Sequence, residues 1–477
     1  MDRRTFLKAM GFTAGAAAGG MTAQADPEKK RPNIILMMAD DLSAKDMGCC
    51  GNPENPTPNL TRLGKNGVNF LTCWATPICS PTRAQIMTGR YGFRTRWYHN
   101  NMKISDPLAK DNLTLGQVFK QAGYATAIVG KWQLPGTQKE HGFDEFYMWL
   151  GGHNLWRTLR DKFDGPVEQK GHSLPGRPAR YWHPAIVHDG RVVDTGDDDY
   201  GPERFVKFIN DYMARHKDEP FFVYFPMCLP HKSWDFERNC AGYLPTPKLD
   251  ENGNRVPGKS EPTLKANVEY IDHMIGEIVA QLDKLGLRDN TVLLFTTDNG
   301  TSGYGKAQIE QERGPRVPLI VDGPGIVKPV GECRELVQFA DILPTLADLA
   351  GTTIPEDNPL DGVSFAPLLR GQPFKGRDWI FSYYADKRFL RDKRFLLDGE
   401  GKLWDCGDRR DEQGYVDVTD SNDPAVQEAR RKFDALLEKL PPPDPESPEY
   451  KRYFAWQDKK KQARKRKREK KRKKKEE

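Results

Sequence analysis

Asn33-Ile34-Ile35-Leu36-Met37-Met38-Ala39-Asp40-Asp41 is an apolar run closed by two carboxylates. A stretch this apolar, with no polar alternation, reads as a strand whose sheet is covered by helices on both faces. Ala125 to Val129, Phe221 to Phe225, Thr291 to Phe295 and Pro318 to Val321 have the same character. Helical patterns lie between them, clearest from Glu261 to Leu285, where Val268, Ile271, Ile275, Ile278 and Leu282 recur at spacings of three and four. This alternation predicts an α/β fold on a mainly parallel sheet, with ligands bound beyond the carboxyl ends of the strands. Asp40-Asp41 and Asp298-Asn299 stand at two such ends; taken singly, either pair reads equally well as a turn.

Further along, the pattern changes twice. Phe143, Phe146, Tyr147 and Trp149 open an aromatic-rich insertion that runs through His153, Trp156, Trp182 and His183 to Asp197-Asp198-Asp199, and insertions of this length usually carry a binding role. After Asp361-Gly362, the segments Trp379 to Tyr384, Phe389-Leu390, Arg394 to Leu397 and Lys402 to Trp404 read as short antiparallel strands, followed by a helix from Pro424 to Leu440. They predict a smaller C-terminal α+β domain, residues 376–455, ending near Pro441-Pro442-Pro443, after a main domain spanning 26–375.

The two ends have their own composition. Residues 1–25 pair Arg3 with Arg4, continue with a short Ala- and Gly-rich stretch, and finish on Ala23-Gln24-Ala25, which resembles a twin-arginine export signal with its cleavage site. The stretch is too short to span a bilayer and no other segment is a candidate, so a periplasmic or secreted protein is expected. From Lys459 to Lys475 the chain carries 14 Lys or Arg. The overall charge of +6 therefore belongs to this run, and the body between the ends is mildly acidic. Residues 456–477 read as a disordered, solvated tail with some capacity to bind polyanions. The eight cysteines are too scattered for a disulfide scaffold or a close-spaced zinc site.

One cysteine has informative neighbours. Cys79-Ser80-Pro81-Thr82-Arg83, with Thr88-Gly89 behind it, resembles the signature of the type I sulfatases, members of the alkaline phosphatase superfamily in which this cysteine is oxidised to formylglycine (3-oxoalanine) by a maturation enzyme. Thr82 departs from the more usual Ser or Ala. The resemblance extends over Pro58 to Phe70, Gly130-Lys131-Trp132-Gln133-Leu134, His141-Gly142-Phe143-Asp144, Leu229-Pro230-His231, Lys306 with the following Glu312 to Pro318, and Asp341 to Thr345, all in family order. It implies an alkaline phosphatase-like fold and hydrolysis of a sulfate ester. A hydrated aldehyde at position 79 would offer one hydroxyl to attack sulfur and a second to expel sulfate. By the same resemblance Asp40, Asp41, Asp298 and Asn299, with residue 79, hold a divalent cation, and hard oxygen ligands suit Ca2+ better than Mg2+.

Arg83 and Lys131 are then expected to hold the formylglycine and the sulfate. His231 and Lys306 would contact the sulfate and the leaving oxygen, either being able to protonate the alcohol. Gln133 stands where many sulfatases have histidine; its amide hydrogen-bonds but carries no proton at ordinary pH, which leaves the base for sulfate expulsion open. A sulfated carbohydrate is the expected substrate, with Trp156, Trp182 and Trp234 as candidate sugar platforms. Two other readings remain at this point: a phosphomonoesterase or phosphodiesterase on the same scaffold, and a non-catalytic polyanion-binding protein.

Overall fold

The computed structural model describes residues 31–102, 104, 106–152, 179–235, 240–409 and 413–476. The export-signal reading of residues 1–25, and His153 and Trp156, lie outside these. β1 (Asn33–Ala39) is buried along its whole length. Its alternate side chains serve two cores: Ile34, Leu36 and Met38 join one apolar cluster, while Ile35, Met37 and Ala39 join the other. A strand covered on both faces leaves room for charge only past its end, where Asp40 stands.

Nine further strands complete this sheet: β2 (Val68–Trp74), β3 (Ala125–Gly130), β4 (Glu145–Trp149), β5 (Ile186–His188), β6 (Arg191–Val193), β7 (Phe221–Pro226), β8 (Thr291–Thr297), β9 (Arg316–Asp322) and β10 (Gly331–Gln338). Their order is β10-β2-β9-β8-β1-β7-β3-β4-β5-β6. β8, β1, β7, β3 and β4 are mutually parallel, so their carboxyl ends open on one side of the molecule. The Pro318 to Val321 run departs from expectation, because β9 is antiparallel to both β8 and β2. Burial on both faces makes the run apolar whichever way the strand points. Direction is set instead by the loop from β8, which turns back without a crossover helix.

α1 (Cys79–Thr88) and α4 (Ile342–Leu349) cover one face of the sheet, while α2 (Gly201–Arg215) and α3 (Leu264–Lys284) cover the other. α3 begins where Thr263 caps it, its Oγ1 accepting from the Ala266 amide at 3.1 Å. The aromatic insertion is corrected in part. Phe143, Phe146, Tyr147 and Trp149 are buried core residues, with Tyr147 stacked on Phe208 at 4.8 Å, because β4 is a sheet strand and not a binding loop. Trp182 is likewise tied down, its Nε1 donating to the Pro245 carbonyl at 2.7 Å. Trp234 lies in a short strand of which only the backbone is described.

The second sheet is antiparallel, as expected: β11 (Ile380–Tyr384), β12 (Lys387–Arg391), β13 (Phe395–Leu397), β14 (Leu403–Asp405) and β15 (Val416–Asp417), followed by α5 (Pro424–Lys439). Trp74 and Leu336 of the large sheet share one apolar cluster with Ile380, Phe389 and Leu396 of the small one. The basic terminus is not the disordered tail that composition implies. It continues α6 (Pro448–Glu476), whose first turns bury Tyr453 and pack Phe454 and Trp456 partly against the cluster under the small sheet. Lys, Arg and Glu are good helix formers, and an anchored first turn removes the nucleation cost; composition registers the charge but not the anchor. Among the described residues no helix is long and apolar enough to cross a membrane. Cys49, Cys50, Cys73, Cys79, Cys228, Cys333 and Cys406 are free thiols.

Candidate active site

The residues singled out from the sequence meet at the carboxyl ends of the parallel strands. β1 delivers Asp40 and Asp41, β3 is followed by Lys131 and Gln133, β7 by His231, and β8 by Asp298 and Asn299. Cys79 is the first residue of α1. Its thiol therefore sits at the positive end of the helix dipole, where unpaired amides favour negative charge. Cys79 Sγ lies 3.7 Å from Asp40 Oδ1 and 3.7 Å from Asp41 Oδ1, and Cys79 is fully buried.

The cations interleave with the carboxylates. Lys131 Nζ meets Asp40 Oδ2 at 2.5 Å, Arg83 Nη2 meets Asp298 Oδ2 at 2.8 Å, and Lys306 Nζ meets Asp41 Oδ2 at 2.6 Å. Arg83 also donates to the Lys131 carbonyl at 3.2 Å, which ties α1 to the end of β3. Asp41 has φ of 64° and Gln133 has φ of 64°. Left-handed backbone at such residues is strained, and it is kept here because neighbours impose it: the Asp41 amide donates to Asp298 Oδ1 at 2.9 Å. Thr82 is fully buried, and its hydroxyl pairs with Thr76 Oγ1 at 2.7 Å. The departure from the usual signature thus serves the turn that enters α1.

Burial dominates the electrostatics. It raises the Asp40 carboxyl, but Lys131, His231, Arg83 and Lys306 outweigh it and hold the group well below the usual carboxylate range. Asp298 is pushed up to about 7, by burial first and then by the charge of Asp40. His231 is pulled down to about 3 by burial, and its Nδ1 faces the Lys232 carbonyl at 2.6 Å. A carbonyl only accepts, so Nδ1 carries the hydrogen and Nε2 presents a lone pair to Lys306 Nζ at 3.2 Å. Burial works against the Lys306 ammonium, yet Cys79, Asp41 and Asp40 raise it well above an ordinary lysine.

A metal ion fits this donor set. Asp40, Asp41, Cys79 and Asp298 bring one ligand atom each to within 4.8 Å of one another. Asn299 donates from Nδ2 to Asp41 Oδ1 at 2.9 Å, which leaves its Oδ1 buried without a hydrogen-bond partner. A buried acceptor without a donor, beside carboxylates crowded enough to raise Asp298, suits a hard divalent cation. Three carboxylates already face three basic side chains, so a divalent ion would leave the site net positive and matched to a sulfate.

A model of the sulfatase family matches residues 32–352 of the chain. The chain belongs to the sulfatase family. It is 31% identical over 403 residues to arylsulfatase A of Bos taurus, covering 78% of this chain and 73% of that protein. It is 28% identical over 408 residues to N-acetylgalactosamine-6-sulfatase of Canis lupus familiaris, covering 78% and 71%. The fold matches that of Ps i-CgsB crystallised with k-i-k-neocarrahexaose, with a TM-score of 0.68, 24% identity, and coverage of 85% of this chain and 93% of that one. As a member of the family, this sulfatase is a sulfuric ester hydrolase.

Some residues that build the sulfatase site carry no local signal. Asn100 accepts from the Ser80 amide through Oδ1 at 2.9 Å, holding the first turn of α1, and Ser80 Oγ donates to the Gln133 carbonyl at 3.1 Å. Ser43 and Thr301 exchange hydrogen bonds at 2.8 Å each, joining the two metal-side loops. An isolated Asn, Ser or Thr in a loop is too common to single out, and only the fold brings these together.

Proposed function

We propose that this sulfatase hydrolyses a carbohydrate sulfate monoester, using a formylglycine made from Cys79 and a Ca2+ held by Asp40, Asp41, Asp298, Asn299 and residue 79, with Mg2+ the poorer fit. The observation that carries the reading is Cys79 at the first turn of α1, its thiol 3.7 Å from both Asp40 and Asp41. The cation would neutralise sulfate charge, and the formylglycine hydrate would supply the nucleophile. Arg83 and Lys131 orient residue 79 and the sulfate. Lys306 carries the proton for the departing alcohol, because His231 is held neutral with its lone pair toward Lys306. His231 keeps the ammonium aimed into the site. Gln133, with Oε1 buried and unpaired, offers a hydrogen-bond acceptor where a base is usual and no proton-taking group.

The carbohydrate is supported by the glycan names of relatives, N-acetylgalactosamine-6-sulfatase among them. Export by the twin-arginine route to the periplasm or beyond accords with such a substrate, and conversion of Cys79 requires a maturation enzyme acting before the chain folds. A phosphoesterase would use a similar electrostatic site, but the family and the cysteine, proline and arginine of the signature at Cys79, Pro81 and Arg83 favour sulfate. The intact set of cations argues against a purely binding role. The deciding experiment is the mass of the tryptic peptide containing Cys79, from protein made in its native host, together with sulfate release from sulfated glycans. Aldehyde or hydrate with sulfate release is expected; thiol throughout would overturn the reading.

A further inference from the structure

α6 begins at the rim of the catalytic site and not at a remote surface. Tyr384 shares hydrogen bonds with His99, at 3.0 Å to Nε2, and with Tyr453 of α6. His99 packs on Tyr453 at 4.5 Å and on Trp456 at 6.0 Å. Lys460 then lies 4.8 Å over the Trp456 ring. On its other side, His99 precedes Asn100, which holds the Ser80 amide beside Cys79.

These contacts join the Asn100 side chain that holds Ser80, beside Cys79, to the first charges of the basic helix. Beyond Trp456, Lys459, Lys460, Lys461, Lys465 and Arg466 are exposed. From Lys459 to Glu476 the helix extends for about 25 Å at the usual rise per residue. The sequence places 14 Lys or Arg between Lys459 and Lys475, and like charges this close in sequence repel, which a bound polyanion would relieve. A site suited to one sulfate ester, near a helix whose described cations are exposed, suits a chain that carries many.

We propose that α6 is an extended subsite of the catalytic cleft, which binds the flanking anionic units of a multiply sulfated polysaccharide and feeds one sulfate into the site at Cys79. This deepens the sulfatase reading and rests on it. DNA or an anionic membrane would also meet a basic helix, but neither explains why its root packs on His99, next to the Asn100 that holds Ser80 beside Cys79.

The test is inhibition of hydrolysis of a small aryl sulfate by dextran sulfate, on the full chain and on two variants. One variant ends after Gln457, which keeps the Trp456 anchor; the other is Lys459→Gln/Lys460→Gln/Lys461→Gln, which keeps the helix length. Dextran sulfate should inhibit the full chain competitively and in a salt-sensitive way, with Ki raised at least tenfold by the truncation and less by the triple variant. Fluorescein-labelled dextran sulfate, followed by anisotropy, should lose affinity in parallel. An unchanged Ki in both variants, or binding without competition, would overturn the proposal. Duplex DNA that inhibits as strongly, and with the same dependence on α6, would overturn the assignment to a sulfated glycan. If no aryl sulfate is hydrolysed at all, the sulfatase reading is what fails, and the anisotropy series still reports separately on the helix.

Discussion

At the scale of single residues, the site works because charges that repel in isolation are interleaved. If residue 79 works as a formylglycine hydrate, Cys79→Ser keeps one hydroxyl beside Asp40 and Asp41 and lacks the second geminal oxygen that would release sulfate. Its steady-state turnover should fall by about three orders of magnitude or more, measured as continuous sulfate release. Lys306→Met separates proton donation from sulfate binding. A sugar alcohol leaves poorly without a proton, so kcat on a glycan sulfate should drop about 10²–10⁴-fold, whereas a nitrophenyl sulfate should lose far less. Equal losses on both substrates would place Lys306 in sulfate binding alone. Asp298→Asn removes the carboxylate that burial, and then the charge of Asp40, push up to about 7. The wild-type chain should retain Ca2+ through equilibrium dialysis and this variant should not, whatever the state of residue 79.

At the scale of elements, the loop between β8 and β9 carries both Lys306 and Glu312, and Glu312 joins the two sheets. Its buried carboxylate accepts from Trp74 Nε1 at 2.8 Å, from Tyr415 OH at 2.6 Å and from Arg391 Nη1 at 2.7 Å. Burial raises this carboxyl, but Arg391 and Arg316 outweigh it and keep the group charged. Glu312→Gln strands the Arg391 guanidinium in a place without water, and should destabilise the protein by about 3–5 kcal/mol in urea unfolding. Because the same loop holds Lys306, kcat should fall with stability. A Glu among Arg and Gly does not announce partners 238 residues back and 103 residues ahead.

At the scale of the whole molecule, the first turns of α6 pack on His99, next to the Asn100 that holds Ser80. Burial first, and the charge of Lys460 second, lower the His99 imidazole from 6.5 to about 4. The folded protein keeps the ring neutral while the unfolded chain takes up a proton, so stability is intact above about pH 6.5 and is lost as pH falls toward 4. Between pH 7 and pH 4.5 this one group should remove about 2–3 kcal/mol, read as a shift of the urea midpoint that shrinks in His99→Gln. The apolar runs, the paired acids after β1 and β8, and the Cys79 signature were legible in the sequence, because burial on two faces and the chemistry of residue 79 each demand particular residue types at short spacing. The direction of β9, the core role of Phe146 and Tyr147, the holding of Ser80 by Asn100 and the helical course of the basic terminus were not. Each depends on a partner far along the chain, and only tertiary packing decides which partner that is.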